Sequence, residues 1–298
     1  MRRLVTVLVM ILLVACHQGG AIDVDRLIVQ AKAGDAAACR DLVDLLGQEE
    51  NQVGAKVYPT VLEIGQPMVQ PLLDNIKTDN RYLRERVIAA LGTLQVVSAI
   101  EPISQVLADR SLKRRYIAAW ALGEIGDRAG IEPLLNALGD PEALVRQYAT
   151  RSLIKYNRDA VQPLIDFVAA ADEIPAAGAI RALGDIGDKR ALAVLLNHVD
   201  GPNRHEAFLA LGKLKDPQAE SALISGLSST DWQSRMNAAM ALGPVGSAKS
   251  IVPLRGALDD EVMVVREWAA RSLSVITGKS VMYRDAHGEM VEPYSVYH

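Results

Sequence analysis

Apolar residues recur along most of this chain with a period close to thirty residues. The segment that begins at Ala121 reads ALGEIGD, and it returns as ALGDIGD from Ala182. Weaker copies extend the pattern, and the gaps between its marker leucines are 31, 31, 30, 28, 31 and 31 residues: Leu91, Leu122, Leu153, Leu183, Leu211, Leu242 and Leu273. A fixed period of this length is typical of an array of stacked structural repeats.

A second marker keeps step with the first and divides each unit into two helices. A proline followed by aliphatic residues recurs at Pro71, Pro102, Pro133, Pro163 and Pro253. In one unit, Pro133 fits the first turn of a helix, residues 139–141 (GDP) break the chain, and a second helix is predicted over about 142–154. A glycine closely follows most marker leucines, and we predict that it ends the second helix.

Small residues stand four positions before the marker leucines and predict close packing between neighbouring second helices: Ala118, Ala149, Ala179, Ala207, Ala238 and Ala269. One unit cannot bury its apolar face alone, so stacking must supply the core. The pattern resembles the HEAT-like repeats of phycobilisome lyases over residues 55–278. That resemblance implies an all-α fold, a right-handed α-solenoid of stacked helical pairs whose second helices line the concave surface.

The two ends of the array depart from the repeat. Residues 22–54 are expected to hold a diverged capping pair of helices, over residues 23–33 and 35–46. Residues 279–298 are β-prone on both sides of the turn sequence DAHG (285–288), which predicts a short hairpin that caps the solenoid. The alternative is that this tail docks a partner.

An arginine stands seven residues before most marker leucines: Arg84, Arg115, Arg146, Arg204, Arg235 and Arg266. Aspartates precede these arginines by four to six residues, and the resemblance to HEAT repeats implies a structural ladder that links consecutive units. A groove for an anionic ligand is the alternative. The fourth unit departs from the pattern because Ala176 replaces the arginine.

The first residues predict export and lipidation. Arg2 and Arg3 precede an apolar run that is too short to span a bilayer and fits a signal peptide over residues 1–15. The sequence LVAC at 13–16 resembles the lipobox of bacterial lipoproteins, which implies an acylated Cys16, a tether over 16–21 and membrane lipid as a partner. The alternative is an ordinary signal peptide cut near Ala15.

This resemblance also implies a location in the bacterial cell envelope. His17 follows the cysteine in place of the aspartate that usually signals inner-membrane retention. We therefore expect the outer membrane, facing the periplasm, in a two-membrane organism and otherwise the outer face of the plasma membrane. Cys39 then has no disulfide partner, and a buried, inert thiol is expected.

Charge and motifs exclude several classes of function. Removal of the signal peptide moves the formal charge from −4 to −6, and this acidic balance argues against nucleic acid as a partner. The sequence TGKS (277–280) lacks the upstream glycine and strand of a phosphate-binding loop. His198, His205 and nearby acids fit a solvated loop better than a metal site. We therefore expect no catalytic residues, metal or cofactor.

Aromatic, arginine and methionine residues occupy positions two, five and six before the marker leucines. These types are enriched at protein interfaces, and the alternative is that they fill gaps between helices. The candidate partner-binding residues are Tyr116, Trp120, Tyr148, Arg151, Arg181, Trp268 and Arg271.

The leading hypothesis is a non-enzymatic scaffold or adaptor that binds an unidentified envelope protein on the concave face. The alternatives are an enzyme subunit related to the HEAT-repeat chromophore lyases and an envelope polysaccharide-binding protein. An exported location weighs against bilin attachment, which is cytoplasmic chemistry.

Overall fold

The computed structural model describes residues 23–48 and 53–293. Across these residues the chain forms an all-α solenoid that ends in a two-stranded hairpin, which confirms the predicted fold class. The elements are α1 (Val24–Lys32), α2 (Ala36–Leu45), α3 (Val53–Ile64), α4 (Val69–Asp74), α5 (Arg81–Thr93), α6 (Ile100–Ala108), α7 (Tyr116–Ile125), α8 (Ile131–Ala137), α9 (Ala143–Lys155), α10 (Arg158–Ala170), α11 (Glu173–Ile186), α12 (Leu192–Leu196), α13 (Arg204–Leu214), α14 (Glu220–Gly226), α15 (Trp232–Val245), α16 (Ile251–Gly256), α17 (Met263–Thr277), β1 (Tyr283–Arg284) and β2 (Met290–Val291).

Each repeat pairs a first helix with a second helix that, in most units, is longer. A short 3₁₀ turn precedes many of the first helices, as at residues 128–130, where the Asp127 carboxylate accepts a hydrogen bond from the Ala129 N–H. The seven marker leucines are at most 1% exposed and form the centre of a core that is continuous from unit to unit. The core therefore lies between the two layers of helices, as stacking requires.

The second helices pack side by side more extensively than the first helices do. The alanines four positions before the marker leucines are fully buried at these contacts. The glycine directly after the leucine lies against a small residue of the next second helix: Gly92 on Ala121, Gly123 on Ser152, Gly184 on Ala210, Gly212 on Ala241 and Gly243 on Ser272. The second helices therefore form the more closely packed of the two layers.

These glycines correct one prediction. The glycine directly after the marker leucine does not end its helix, since α7 continues past Gly123 to Ile125 and α11 continues past Gly184 to Ile186. The helices end instead at Gly126 and Gly187, which adopt the left-handed conformation with φ of 70° and 71°.

The N-terminal helices α1 and α2 begin at aspartate caps. Asp23 accepts from the Arg26 N–H, and Asp35 accepts from the Ala37 and Ala38 N–H groups. Cys39 on α2 is 1% exposed, and burial raises the pKa of its thiol, which keeps it protonated and unreactive.

The hairpin lies against the last helix. Tyr283 pairs with Val291 and Arg284 with Met290 in antiparallel register, and the Tyr283 side chain is buried. Arg266 on α17 donates to the carbonyls of Arg284 and Asp285 at 2.8 and 3.1 Å. The tail therefore covers part of the last repeat.

Cys16, the signal peptide and the tether lie outside the described residues, so their predicted roles stay predictions. Within residues 23–48 and 53–293, no helix is both long and apolar enough to cross a bilayer.

Candidate ligand-binding face of the second helices

Tyr116 on α7 and Tyr148 on α9 form the centre of the candidate site. Their ring centroids are 5.0 Å apart with an angle of 37° between the rings. The Arg151 guanidinium lies over the Tyr148 ring, with its carbon 5.7 Å from the ring centroid. Both tyrosines are half-buried, whereas Arg151 is exposed. The structure thus brings together three predicted residues from two consecutive repeats.

Trp120 contributes to the same region mainly by packing. Its side chain is half-buried against the core, and its ring lies close to Gly92 on α5. The indole therefore fills the space that a missing side chain leaves between two second helices. Trp120 is therefore only partly accessible to a ligand.

Arg151 carries a charge that is not neutralised nearby. It forms no ion pair among the residues that the structure describes, in contrast to Arg181, whose guanidinium lies 3.4 Å from the Glu206 carboxylate. His205 and Glu206 are in the first turn of α13, not in a loop as expected, and the His205 Nε2 lies 2.5 Å from Glu206. No group of three or more histidine, cysteine or acidic residues in residues 23–48 and 53–293 could hold a metal ion.

Trp268 and Arg271 lie on α17 apart from the Tyr116 cluster. The Arg271 guanidinium is 4.8 Å from the Trp268 ring and 2.5 Å from the Glu267 carboxylate. Its side chain is only 18% exposed, and the hairpin packs against the same helix. Arg271 is therefore less accessible than Arg151, whereas Trp268 is partly buried like the two tyrosines.

The six regularly spaced arginines make two kinds of contact. Arg115 binds both carboxylate oxygens of Asp140 in the next unit, and Arg235 binds both oxygens of Asp260. The other four depart from the expected ladder of carboxylate pairs, because in the described residues they donate to carbonyls of the preceding loop: Arg84 to Thr78, Arg146 to Asp140, Arg204 to Gly201 and Arg266 to Asp260.

Arg115 and Asp140 form a buried ion pair that keeps the carboxylate charged. Arg115 is 2% exposed and Asp140 is 7% exposed. Burial alone would raise the pKa of Asp140, but hydrogen bonds from Arg115 and from the Glu142 N–H outweigh it and lower that pKa. The carboxylate is therefore held in its charged form.

Sequence analysis missed a group of residues beside the Tyr116 cluster. The Arg114 guanidinium lies 2.9 Å from the Glu85 carboxylate of the preceding unit, and Arg81 lies 3.5 Å from the same carboxylate. Arg81 also lies 4.5 Å from the Tyr82 ring. Applying the same offsets to Leu91 would have selected Glu85, but Arg114 stands eight residues before its leucine and falls outside them.

Comparisons with known proteins establish the family. The model for HEAT repeats matches residues 69–154, 131–205 and 195–274, which together span more than half of the chain. The chain belongs to the HEAT-repeat family. The Kap121p structure, solved bound to Nup53p, has a TM-score of 0.59 at 15% identity, and the likeness covers 86% of this chain and 34% of that one. That likeness concerns the fold alone.

Two kinds of relative are named as enzymes. The phycocyanobilin lyase subunit alpha of Picosynechococcus sp. is 28% identical over 219 residues, which cover 68% of this HEAT-repeat chain and 76% of the relative. Deoxyhypusine hydroxylase of Drosophila melanogaster is 25% identical over 250 residues, which cover 72% and 82%. The expectation of a non-enzymatic protein is therefore wrong, because the relatives point to enzymatic members of the family.

Proposed function

We propose that this chain is an enzyme subunit related to the HEAT-repeat chromophore lyases, and that it binds a flat, acidic ligand on the face of its second helices. The relationship to a protein named as a lyase subunit supports the class. The observation that carries the ligand is the arrangement of Tyr116, Tyr148 and Arg151 on one accessible face. An open-chain tetrapyrrole is one molecule of this chemical class.

The physical basis is the combination of two rings and one unpaired charge. Offset aromatic rings offer surface to a conjugated ligand, and such contacts add about 0.5–1.5 kcal/mol beyond the area buried. An arginine presents paired N–H groups that fit a carboxylate. Since Arg151 forms no ion pair within the described residues, an incoming carboxylate would not have to displace a protein carboxylate from it.

We propose separately that acylated Cys16 anchors the subunit in the bacterial envelope, where a further envelope protein would be its partner subunit. This proposal rests on the LVAC sequence behind an apolar run. Bilin attachment is cytoplasmic chemistry, so a chain in the envelope would be separated from it. We therefore propose the chemical class of the ligand and no specific reaction.

A direct titration tests the ligand. The full chain in detergent is titrated with phycocyanobilin, and binding is followed by absorbance and induced circular dichroism. We expect saturable binding that weakens by about tenfold or more in Tyr148→Ala and in Arg151→Gln, which corresponds to one charge-assisted or aromatic contact. Trp232→Ala, at an exposed tryptophan on α15, serves as the control. Absence of binding, or equal binding by all variants, would refute the proposal.

A further inference from the structure

Arg81 and Arg114 share one carboxylate on the face of the second helices. Glu85 lies between them, 3.5 Å from Arg81 and 2.9 Å from Arg114, and its side chain is only 15% exposed. The two arginine side chains are 41% and 51% exposed. Two positive charges thus meet one negative charge, and both guanidinium groups reach solvent.

The contacts inside this group are incomplete. Arg81 Nε and Glu85 Oε1 are shielded from solvent and face each other at 3.5 Å without forming a hydrogen bond. Arg114 has a φ of 60°, a left-handed conformation that is uncommon for a residue with a side chain. The exposed Arg110 and Lys113 in the same loop add further positive charge. The one acid of that loop, Asp109, is exposed as well. The group therefore carries a net positive charge.

This basic group adjoins the Tyr116 cluster. The hydrogen bond from Arg114 to Glu85 raises the pKa of Arg114, and the nearby Tyr116 and Tyr82 hydroxyl groups contribute in the same direction. Tyr116 begins α7 two residues after Arg114, and Tyr82 lies on α5 under the Arg81 guanidinium. Aromatic rings therefore continue from Arg151 to the basic group.

The helix geometry gives an approximate distance between the two positive ends. Tyr116, the first residue of α7, and Arg151 on α9 differ by four residues relative to their marker leucines, which is roughly 6 Å along a helix. The axes of these neighbouring second helices are about 10 Å apart. The backbone positions of Tyr116 and Arg151 are thus separated by roughly 12 Å, and Arg114 lies in the loop two residues before Tyr116.

We infer that Arg81 and Arg114 bind a second acidic group of the ligand whose first acidic group contacts Arg151. The ligand is then an elongated dianion that lies across α5, α7 and α9, with its flat part on the Tyr116 and Tyr148 rings. This inference rests on the proposed function for the position of the ligand. It adds a second charge to the ligand and two residues to the site.

A purely structural role makes a different prediction. Exposed ion pairs contribute little to stability, and loss of such a pair would not change how strongly the protein prefers a diacid to a monoacid. Selectivity between these ligands therefore separates the two interpretations.

The test uses trans-stilbene-4,4′-dicarboxylate, a rigid flat dianion, and trans-stilbene-4-carboxylate, its monoacid. Each acid is titrated into the full chain in detergent, and its affinity is measured by fluorescence and calorimetry. We expect the wild type to bind the diacid at least about tenfold more tightly, which is what one charge-assisted contact contributes. Arg114→Gln and Arg81→Gln should reduce this preference. Arg128→Gln, at an exposed arginine in the 3₁₀ turn before α8, should retain it.

These titrations test the two-ended anion site and the tetrapyrrole ligand separately. Equal affinity of the wild type for the two acids, an unchanged preference in Arg114→Gln, or no binding of the diacid would overturn the inference. If the diacid binds selectively and phycocyanobilin does not, the two-ended anion site stands and the tetrapyrrole is rejected as its ligand. Circular dichroism of each variant shows whether the helices are retained.

Discussion

Arg115 holds Asp140 through two parallel hydrogen bonds that cross from one repeat to the next. Their side chains are 1% and 7% exposed, so neither charge can turn to solvent if the other is removed. Arg115 also donates to the carbonyl of Leu107 in its own unit. One buried guanidinium therefore joins the loops of two consecutive units.

Removal of either partner should destabilise the array strongly. We expect Arg115→Gln to lower the free energy of unfolding by about 3 kcal/mol, because a buried charge is left without its partner. Arg128→Gln removes the exposed pair with Asp159 and should cost much less, because solvent screens exposed charges. Urea unfolding followed by circular dichroism measures both, and equal losses would contradict the special role of the buried pair.

The same pair should make stability depend on acid pH. The pKa of Asp140 is lowered from its ordinary value of 3.8, so the ionised carboxylate favours the folded state. Its contribution is complete above pH 3.8 and is lost as the pH falls through the lowered value. The difference in unfolding free energy between wild type and Asp140→Asn should therefore shrink below about pH 4. A difference that stays constant between pH 7 and pH 3 would argue against this.

The glycine contacts between second helices predict a sharp difference between two similar substitutions. A Cβ on Gly212 would lie 2.6 Å from the Ala241 Cβ, whereas a Cβ on Gly256 would have no neighbour within 4 Å. We expect Gly212→Ala to destabilise the protein by about 1–3 kcal/mol and Gly256→Ala to be neutral or slightly stabilising. Thermal unfolding compares the two, and similar melting temperatures would show that the contact can relax.

Lipidation can be tested without knowledge of the ligand. If Cys16 is acylated, the wild type should enter the detergent phase of a Triton X-114 extraction and Cys16→Ser should remain in the aqueous phase. Cys39→Ser, at a buried thiol, is the matched control and should partition like the wild type. Retention of Cys16→Ser in the detergent phase would reject the lipoprotein interpretation.

The repeating fold was predictable because its signal is redundant. A buried leucine, a small residue four positions earlier and a proline in the first helix recur in most units. The helical period places the leucine and the small residue on one face of the second helix. The glycine after the leucine was misinterpreted, since sequence alone cannot distinguish a residue that ends a helix from one that permits a close contact. Only the backbone of the neighbouring unit decides between them.

The candidate site was predictable only in part. Tyr116 and Tyr148 were found because their offsets from the marker leucines place them on one face. Arg81 and Arg114 were missed because their role depends on Glu85, which belongs to a different unit from Arg114.

The close approach of α7 and α9, which carry Tyr116 and Tyr148, depends on a glycine between them. Gly123 on α7 faces Ser152 on α9, and a Cβ at Gly123 would lie 2.5 Å from the Ser152 Cβ. Tyr116 begins α7, and Tyr148 lies one turn before Ser152 on α9. A single methyl group at residue 123 would push the two helices apart and change the spacing of the tyrosines on the proposed ligand-binding face. Substitutions at buried positions that contact no ligand could therefore change which ligands that face accepts.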